Sequence, residues 1–366
     1  MNKKILILYA TAGAGHKKAA EALLNAAKNK SYDLRSLDII DFMPPLTKKL
    51  YSDGYLFLIS KFARLWGFFY FVSDTPWLSI FNVHLRRWID SITCCRLIEF
   101  IRKEEPEAVI SVHFLASEIV SYAKQKFNLK TKLITVVTDF GVHNFWINPK
   151  TDLYCCASQA TLEDLVNKGI PQERIKVTGI PVDEKFTKPI DKNLIRAEFG
   201  IDENKFTVLI ITGGIGVGPI EEIVDLLKDQ VQMLVVCGHN KSLQEKLAGK
   251  KYPGVRIFGF IDYVEKLMSV SQLIVTKAGG LTVTESLTSG LPMVFFFLIP
   301  GQELINAKTI SGEGAGLIAR SPEDIRKIIL KFKNNPAILS AYRDKVLSLA
   351  RPGSSAQIIS LLDDQL

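Results

Sequence analysis

Three stretches of the 366-residue chain combine glycines, histidines and carboxylates in ways that suit group transfer. The first, residues 12–20, reads Ala-Gly-Ala-Gly-His-Lys-Lys-Ala-Ala and follows an apolar run. Small residues there let the backbone turn tightly, and exposed NH groups at the following helix start receive an anion or a hydroxyl-bearing substrate. The loop is neither GxGxxG nor a P-loop ending in GK[ST], so it specifies no nucleotide by itself. It places Gly15 and His16 at the carboxyl end of a parallel strand, where open α/β sheets bind ligands. A histidine titrating near neutrality in that position suits a general base.

The second stretch, 136–146, is Val-Val-Thr-Asp-Phe-Gly-Val-His-Asn-Phe-Trp. Asp139 ends another buried strand, and His143 and Trp146 follow in its loop. A carboxylate near His16 would orient and polarise the imidazole. The third stretch, 211–218, has four glycines in six positions, Gly213, Gly214, Gly216 and Gly218. Their NH groups and the dipole of the following helix suit a diphosphate. Downstream come Gly259-Phe260-Ile261-Asp262 and a second Gly-Gly turn, Lys277-Ala278-Gly279-Gly280, with Thr282 expected to cap the next helix and Glu285 inside it. Gln302, Glu303 and Asn306 then supply amide and carboxylate groups able to hold sugar hydroxyls. Glycine turns recurring at successive strand ends point to a nucleotide-type ligand.

The elements that must position these residues are short β-rich runs alternating with helical stretches, the pattern of parallel sheets with crossover helices. Expected strands are 4–9, 36–40, 108–112, 132–138 and 153–157, then 207–211, 232–237, 255–258, 272–275 and 293–297. That makes two α/β sets of five. Between them, Thr178-Gly179-Ile180-Pro181-Val182-Asp183 and the polar residues through Lys192 read as a linker, because Gly and Pro punctuate them. The expected division is an N-terminal domain 1–182 with an insertion at 45–105, a C-terminal domain 183–345, and a final helical segment 346–366 returning to the N-terminal domain.

Charge is uneven. Of the net +8, all sits in residues 1–150, with 21 Lys and Arg against 13 Asp and Glu, whereas 151–366 carry 25 of each. The 45–105 insertion is basic and aromatic, with Tyr51, Tyr55, Phe57, Phe62, Trp66, Phe68, Phe69, Tyr70, Phe71, Trp77, Phe81 and Trp88. Such residues sit at a lipid interface, rings at headgroup level and cations on anionic phosphates. An aromatic helical hairpin covering a sheet has the same composition. No nucleic-acid-binding module is recognisable, so a nucleic-acid partner is not expected. No run reaches the ~18 to 20 apolar residues of a spanning helix. The apolar run 5–8 leads straight into the glycine loop and reads as a first strand rather than a signal peptide. Five cysteines, two adjacent pairs among them, show no zinc spacing and read as buried reduced thiols in a cytoplasmic protein.

These motifs resemble the GT-B glycosyltransferase family that contains the monogalactosyldiacylglycerol synthases and the bacterial processive diacylglycerol glucosyltransferases. The resemblance runs from the AGAGH loop through TDFxxHxxW to Gly213-Gly214, Gly279-Gly280-Leu281-Thr282 and Gln302-Glu303-Leu304-Ile305-Asn306. The second half is also similar to the lipid-linked N-acetylglucosaminyltransferase of peptidoglycan synthesis, but AGAGH with TDFxxHxxW is similar to the glycolipid enzymes.

The resemblance implies two Rossmann-like domains facing a central cleft and an inverting transfer of a hexose from a UDP-sugar to diacylglycerol or a related lipid, peripherally on the inner face of the cell membrane. It implies His16 as base with Asp139 as its catalytic partner, and Gly15, His143 and Trp146 at the acceptor. For the donor it implies Gly214 and Gly216 near the diphosphate, Ile261 beside the uracil and Glu285 on the ribose. Gly279, Gly280 and Thr282 would form the second donor turn, and Gln302, Glu303 and Asn306 would hold the sugar. No Asp-x-Asp motif is present, and neither a metal nor a cofactor is expected, the leaving UDP being met by loop NH groups and Lys277. Transfer of N-acetylglucosamine to another lipid carrier, a UDP-sugar 2-epimerase and a non-catalytic UDP-sugar sensor are the alternatives.

Overall fold

The structure is a computed structural model that describes residues 3–11, 13–51, 54, 62–74, 93–214 and 216–366. Of the residues singled out above, Ala12, Tyr55, Phe57, Trp77, Phe81, Trp88 and Ile215 lie outside the described residues. The chain forms two compact units, one of residues 1–184, 299–302 and 352–366 and the other of residues 185–298 and 303–351.

Each unit is built on a six-stranded sheet in which every pairing is parallel. In the first unit the strands are β1 (Lys3–Tyr9), β2 (Tyr32–Asp38), β3 (Ala108–Ser111), β4 (Lys132–Val136), β5 (Leu153–Cys156) and β6 (Ile175–Val177). Their order is β2-β1-β3-β4-β5-β6. In the second they are β7 (Thr207–Ile211), β8 (Gln232–Val236), β9 (Val255–Phe258), β10 (Leu273–Thr276), β11 (Met293–Phe295) and β12 (Gly316–Ile318), in the order β12-β11-β10-β7-β8-β9.

The α-helices, in chain order, are α1 (Ala14–Ala26), α2 (Ala63–Ser73), α3 (Cys95–Glu104), α4 (Phe114–Phe127), α5 (Gln159–Asn167), α6 (Lys192–Phe199) and α7 (Ile220–Leu227). They continue with α8 (Lys241–Gly249), α9 (Val264–Ser269), α10 (Gly280–Thr288), α11 (Gln302–Gly312), α12 (Pro322–Asn334), α13 (Pro336–Leu349) and α14 (Ser354–Gln365). Residues 45–51 are helical as well. No helix among the described residues is long and apolar enough to cross a membrane.

The sheets follow from their sequences. Strands β3, β4 and β5 are apolar nearly throughout because helices cover both faces of a parallel sheet, which leaves no polar alternation to read. One face of the first sheet, through Ile5, Ile7, Ile110 and Ile134, packs on Ala20 and Leu23 of α1 and on Ile358, Ile359 and Leu362 of α14. The other face packs on α3 and α4 through Leu97, Ile101, Ile119 and Val120.

The expectations fail in identifiable places. Each sheet has six strands rather than five, because β6 and β12 are three-residue edge strands too short to show a pattern. The strand expected at 36–40 is 32–38: the apolar pair Ile39-Ile40 enters a 3₁₀ turn instead, its start capped by Asp38, whose carboxylate accepts from the Ile40 NH at 3.0 Å. Residues 178–182, expected as the start of a loose linker, are buried in the first unit. There the Ser354 and Ser355 hydroxyls donate to the Ile180 and Val182 carbonyls at 2.8 and 2.9 Å. Among the cysteines, Cys95 is exposed while the other four are buried.

Candidate functional site

In the first sheet the chain runs outward from β1 to β2 and then resumes on the other side of β1 with β3. The connections therefore diverge between β1 and β3 and leave a crevice at their carboxyl ends, the position where such sheets hold ligands. His16 occupies it from the first turn of α1. Its Nδ1 lies 2.8 Å from the carbonyl oxygen of Val112, the residue after β3, and 3.3 Å from Thr138 Oγ1 after β4. A carbonyl only accepts, so Nδ1 carries the proton and Nε2 keeps its lone pair.

Burial lowers the His16 pKa, and the nearby Asp139 charge and the Val112 carbonyl partly offset this. The imidazole is therefore neutral at pH 7. Asp139 is buried and accepts at Oδ2 from the Gln302 side-chain amide at 3.1 Å. His113, which the sequence reading passed over, lies edge-on to His16 with ring centroids 4.6 Å apart. Its Nδ1 accepts from the Leu115 NH and caps α4, and burial holds its pKa well below 6.5. The signal available was its position two residues after β3, at the same carboxyl end of the sheet as His16.

Because both histidines fold neutral, stability is full above their unfolded pKa, about 6.5, and falls as pH drops toward their lowered native values. Urea midpoints measured between pH 8 and 5 are expected to decline only below that threshold.

His143 and Trp146 have other work than the acceptor contact expected of them. Trp146 is 1% exposed and packs in a core with Val137, Tyr154 and Leu165. His143 uses both ring nitrogens on protein: Nδ1 accepts from the Phe145 NH at 3.1 Å, so Nε2 is protonated and donates to the Tyr70 carbonyl at 3.0 Å. It thus ties the loop after Asp139 to α2. Asp74, at the end of α2, extends the tie by accepting from the Asn144 NH at 2.7 Å and from Lys168 Nζ at 3.0 Å. Lys168 also donates to Asn144 Oδ1 at 2.9 Å. Lys168→Met leaves the Asp74 carboxylate partly uncompensated, and a loss of about 1–3 kcal/mol in stability is expected, with faster proteolysis within α2 as the local readout.

The inner face of α2 also meets residues 299–302: a Cβ at Gly67 would overlap Pro300, and one at Gly301 would reach the Tyr70 ring. The outer face presents Leu65, Phe68 and Phe69 at helical spacing, the two phenylalanines 61% and 55% exposed. Leu46 and Leu50 are exposed nearby in sequence. The aromatic segment is therefore not solely a cover for the sheet.

The second sheet repeats the topology, with its divergence between β7 and β10. The two glycine loops are the connections leaving the carboxyl ends of those strands. Gly213 stands beside Lys277, whose Cε would lie 3.9 Å from a Cβ there, and Lys277 Nζ pairs with Glu303 at 3.3 Å. Gly214 has open space where a side chain would be. Gly216 differs: its φ is +64°, and a Cβ would overlap the Cys237 carbonyl oxygen. The loop after β7 is laced to the 237–240 loop after β8, the His239 NH donating to the Gly214 carbonyl at 2.8 Å and Asn240 Nδ2 to the Gly216 carbonyl at 2.9 Å. Gly216 is thus required by packing between loops.

Helix α10 begins after Gly279, which makes no side-chain cap, and Gly279 too opens onto free space. Its first NH groups lack helical partners and attract an anion. The cap expected of Thr282 is absent, since Thr282 is already the third helical residue and its carbonyl accepts from the Ser286 hydroxyl. Glu285 is buried on the same helix. Asn306 is 1% exposed and donates to the Ala278 carbonyl at 3.0 Å, so it braces the Gly-Gly turn from behind. Gln302, expected on the donor sugar, sits in the first unit on Asp139. Ile261 is half-buried, and its neighbour Phe260 stacks on His239 with centroids 4.4 Å apart and planes 11° from parallel, a ring pair that no local spacing announces. Among the described residues no group of three or more His, Cys, Asp or Glu is placed to hold a metal ion.

Residues 16–182 match the monogalactosyldiacylglycerol (MGDG) synthase family, and residues 208–345 match the glycosyltransferase family 28 C-terminal domain. The processive diacylglycerol beta-glucosyltransferase of Staphylococcus epidermidis (strain ATCC 12228) is 30% identical over 362 residues, covering 94% of this chain and 88% of the relative. The chain belongs to this diacylglycerol glycosyltransferase family. Its counterpart in Staphylococcus haemolyticus is 31% identical, with 94% and 88% covered.

The fold of this glycosyltransferase is GT-B, shared with solved structures of low identity. MurG of Acinetobacter baumannii aligns with a TM-score of 0.61 at 18% identity over 99% of both chains. S. aureus MnaA, solved with UDP, aligns at 0.67 and 14% identity over 99% of this chain and 96% of its own. Anabaena Alr3699/HepE, solved with UDP and glucose, aligns at 0.59 and 15% over the whole of both chains. A UDP-GlcNAc 2-epimerase from Neisseria meningitidis also shares the fold, at 15% identity.

Proposed function

We propose that this family member moves a hexose from a UDP-sugar to the free hydroxyl of diacylglycerol, with inversion, while bound peripherally at the inner face of the membrane. The observation that carries the proposal is the tautomer of His16: with Nδ1–H held by Val112, the unprotonated Nε2 is left to take a proton. As Nε2 removes the acceptor proton, the oxygen attacks the anomeric carbon from the face opposite the phosphate. The new C–O bond forms while the bond to the diphosphate breaks, and UDP departs with the electron pair. Asp139 stabilises the imidazolium so formed, and Gln302 holds Asp139 in place. In the second unit, loop NH groups around Gly213 and Gly214, the start of α10 and Lys277 meet the growing negative charge of UDP. Glu285 binds the ribose, Glu303 the sugar, and Ile261 with the Phe260–His239 stack flanks the base.

The exposed face of α2 enters the lipid headgroup region. Phe68→Ser with Phe69→Ser is expected to weaken sedimentation with anionic vesicles about tenfold or more, since burying each ring contributes about 1.5–3 kcal/mol. The melting temperature should hold. The reaction itself is tested by labelled transfer from UDP-glucose, UDP-galactose and UDP-N-acetylglucosamine to diacylglycerol in such vesicles, wild type beside His16→Ala. A glycolipid formed from one donor and lost in the variant supports the proposal. No glycolipid from any donor overturns it.

A further inference from the structure

The second sheet also has a cavity at its opposite end. Where the glycine loops leave the carboxyl ends of β7 and β10, Gln272 and Gly290 stand before the amino ends of β10 and β11. There they line a separate cavity of about 390 Å³. The four residues of β10 separate the two ends by about 13 Å. Four cations line the cavity, Lys188, Lys192, Arg196 and Arg343. The acid on its wall, Glu265, is already paired with Lys185 at 2.9 Å, and Arg196 lies 3.5 Å from Glu203. Among the described residues neither Lys192 nor Arg343 has a carboxylate within pairing distance.

The cations also oppose one another. Burial first, then the charges of Arg343 and Arg196, lower the Lys192 pKa. A concave surface lined by one sign of charge focuses the field and concentrates counter-ions. The floor is of another kind, formed where α9 and α10 end, with Ser289 and with Thr288, whose buried hydroxyl oxygen has no hydrogen-bond partner. The last-turn carbonyls of both helices are already used, those of Glu285, Ser286 and Leu287 by the NH groups of Ser289, Leu291 and Gly290, and those of Lys266 and Leu267 by the Ser269 and Ser271 hydroxyls. The polar group the floor leaves open is therefore the Thr288 hydroxyl, whose burial without a partner is costly.

From the cationic wall, the unpartnered Thr288 hydroxyl on the floor and a volume at the lower end of small-molecule sites, we infer that this cavity binds a phosphorylated polyol. The phosphate lies against Lys192 and Arg343, and a polyol hydroxyl pairs with the Thr288 hydroxyl. The inference stands whichever sugar and acceptor the enzyme uses. The same chemistry comes from a soluble polyol phosphate or from a glycerophospholipid headgroup, and the test separates them.

Backbone hydrogen exchange of the full chain is followed with glycerol phosphate, at ionic strength matched by chloride, and separately with phosphatidylglycerol vesicles. With ligand at ten times its dissociation constant, exchange through local opening is expected to slow about tenfold at residues 192–196 and 286–290. Residues 213–218 and 277–280 should stay unaffected. Slowing by the soluble compound assigns a free metabolite, and slowing by vesicles alone assigns a headgroup. Lys192→Gln with Arg343→Gln should abolish the effect without lowering the melting temperature, because neither side chain has an acidic partner to lose. No slowing at these amides under either condition, slowing that persists in the double variant, or slowing confined to 213–218 would overturn the inference.

Discussion

Replacing His16 with alanine is expected to lower kcat by about 10²–10⁴-fold, the range attributable to a positioned general base, with little change in the KM for the donor. The prediction rests on Nε2 being the free nitrogen of a neutral ring, and pH adds a second signature. Because burial lowers the His16 pKa below 6.5, activity should be level from about pH 6.5 upward and fall with the loss of one group at lower pH. Asp139→Asn removes the charge that raises this pKa. The acid limb should then move to still lower pH while kcat declines, since the imidazolium loses its counter-charge. A pH profile of kcat/KM on wild type and both variants checks the whole set. A limb that stays in place in Asp139→Asn would show that the carboxylate charge does not act on His16.

The second large effect is on stability. Gly216→Ala puts a side chain on a residue with φ of +64° and into the Cys237 carbonyl oxygen. The left-handed backbone costs about 1–2 kcal/mol for a residue with a Cβ, and the forced displacement adds about 1–3 kcal/mol. Calorimetry should therefore show the second unit melting earlier. Gly214→Ala, two residues away, is the control: its φ lies outside the left-handed region and its surroundings are open, so stability should change little. The space it fills is the space proposed for the diphosphate. UDP affinity should drop about tenfold, a loss equal to about 1.4 kcal/mol, and unchanged affinity would place the diphosphate elsewhere.

The alternation of apolar runs and helical stretches made both sheets legible, and the glycines and histidine that close those runs marked the divergence points at β1/β3 and β7/β10. Direction of side chains was not legible. His143, Asn306 and Gln302 have the polarity of ligand contacts, yet each is engaged with protein: a carbonyl of α2, the Ala278 carbonyl and Asp139. A motif gives spacing along the chain, whereas the choice between facing a ligand and bracing a loop depends on what folds behind it. Likewise Gly214 and Gly216 are alike in sequence, and only the approach of the 237–240 loop separates them. The stack of Phe260 on His239 joins residues from different loops and left no local trace.

Helix α14 supplies Ile358, Ile359 and Leu362 to the same core as Ile5, Ile7 and Leu23, and Asp363 accepts from Lys30 and Tyr32. On the ribosome this reverses the usual order, in which the domain made first is finished first. The strands of the first unit emerge early, but one wall of their core is delivered only after residues 185–298 and 303–351 have been synthesised. The apolar face that Ile358, Ile359 and Leu362 cover thus stays uncovered on the nascent chain until its final helix has been made.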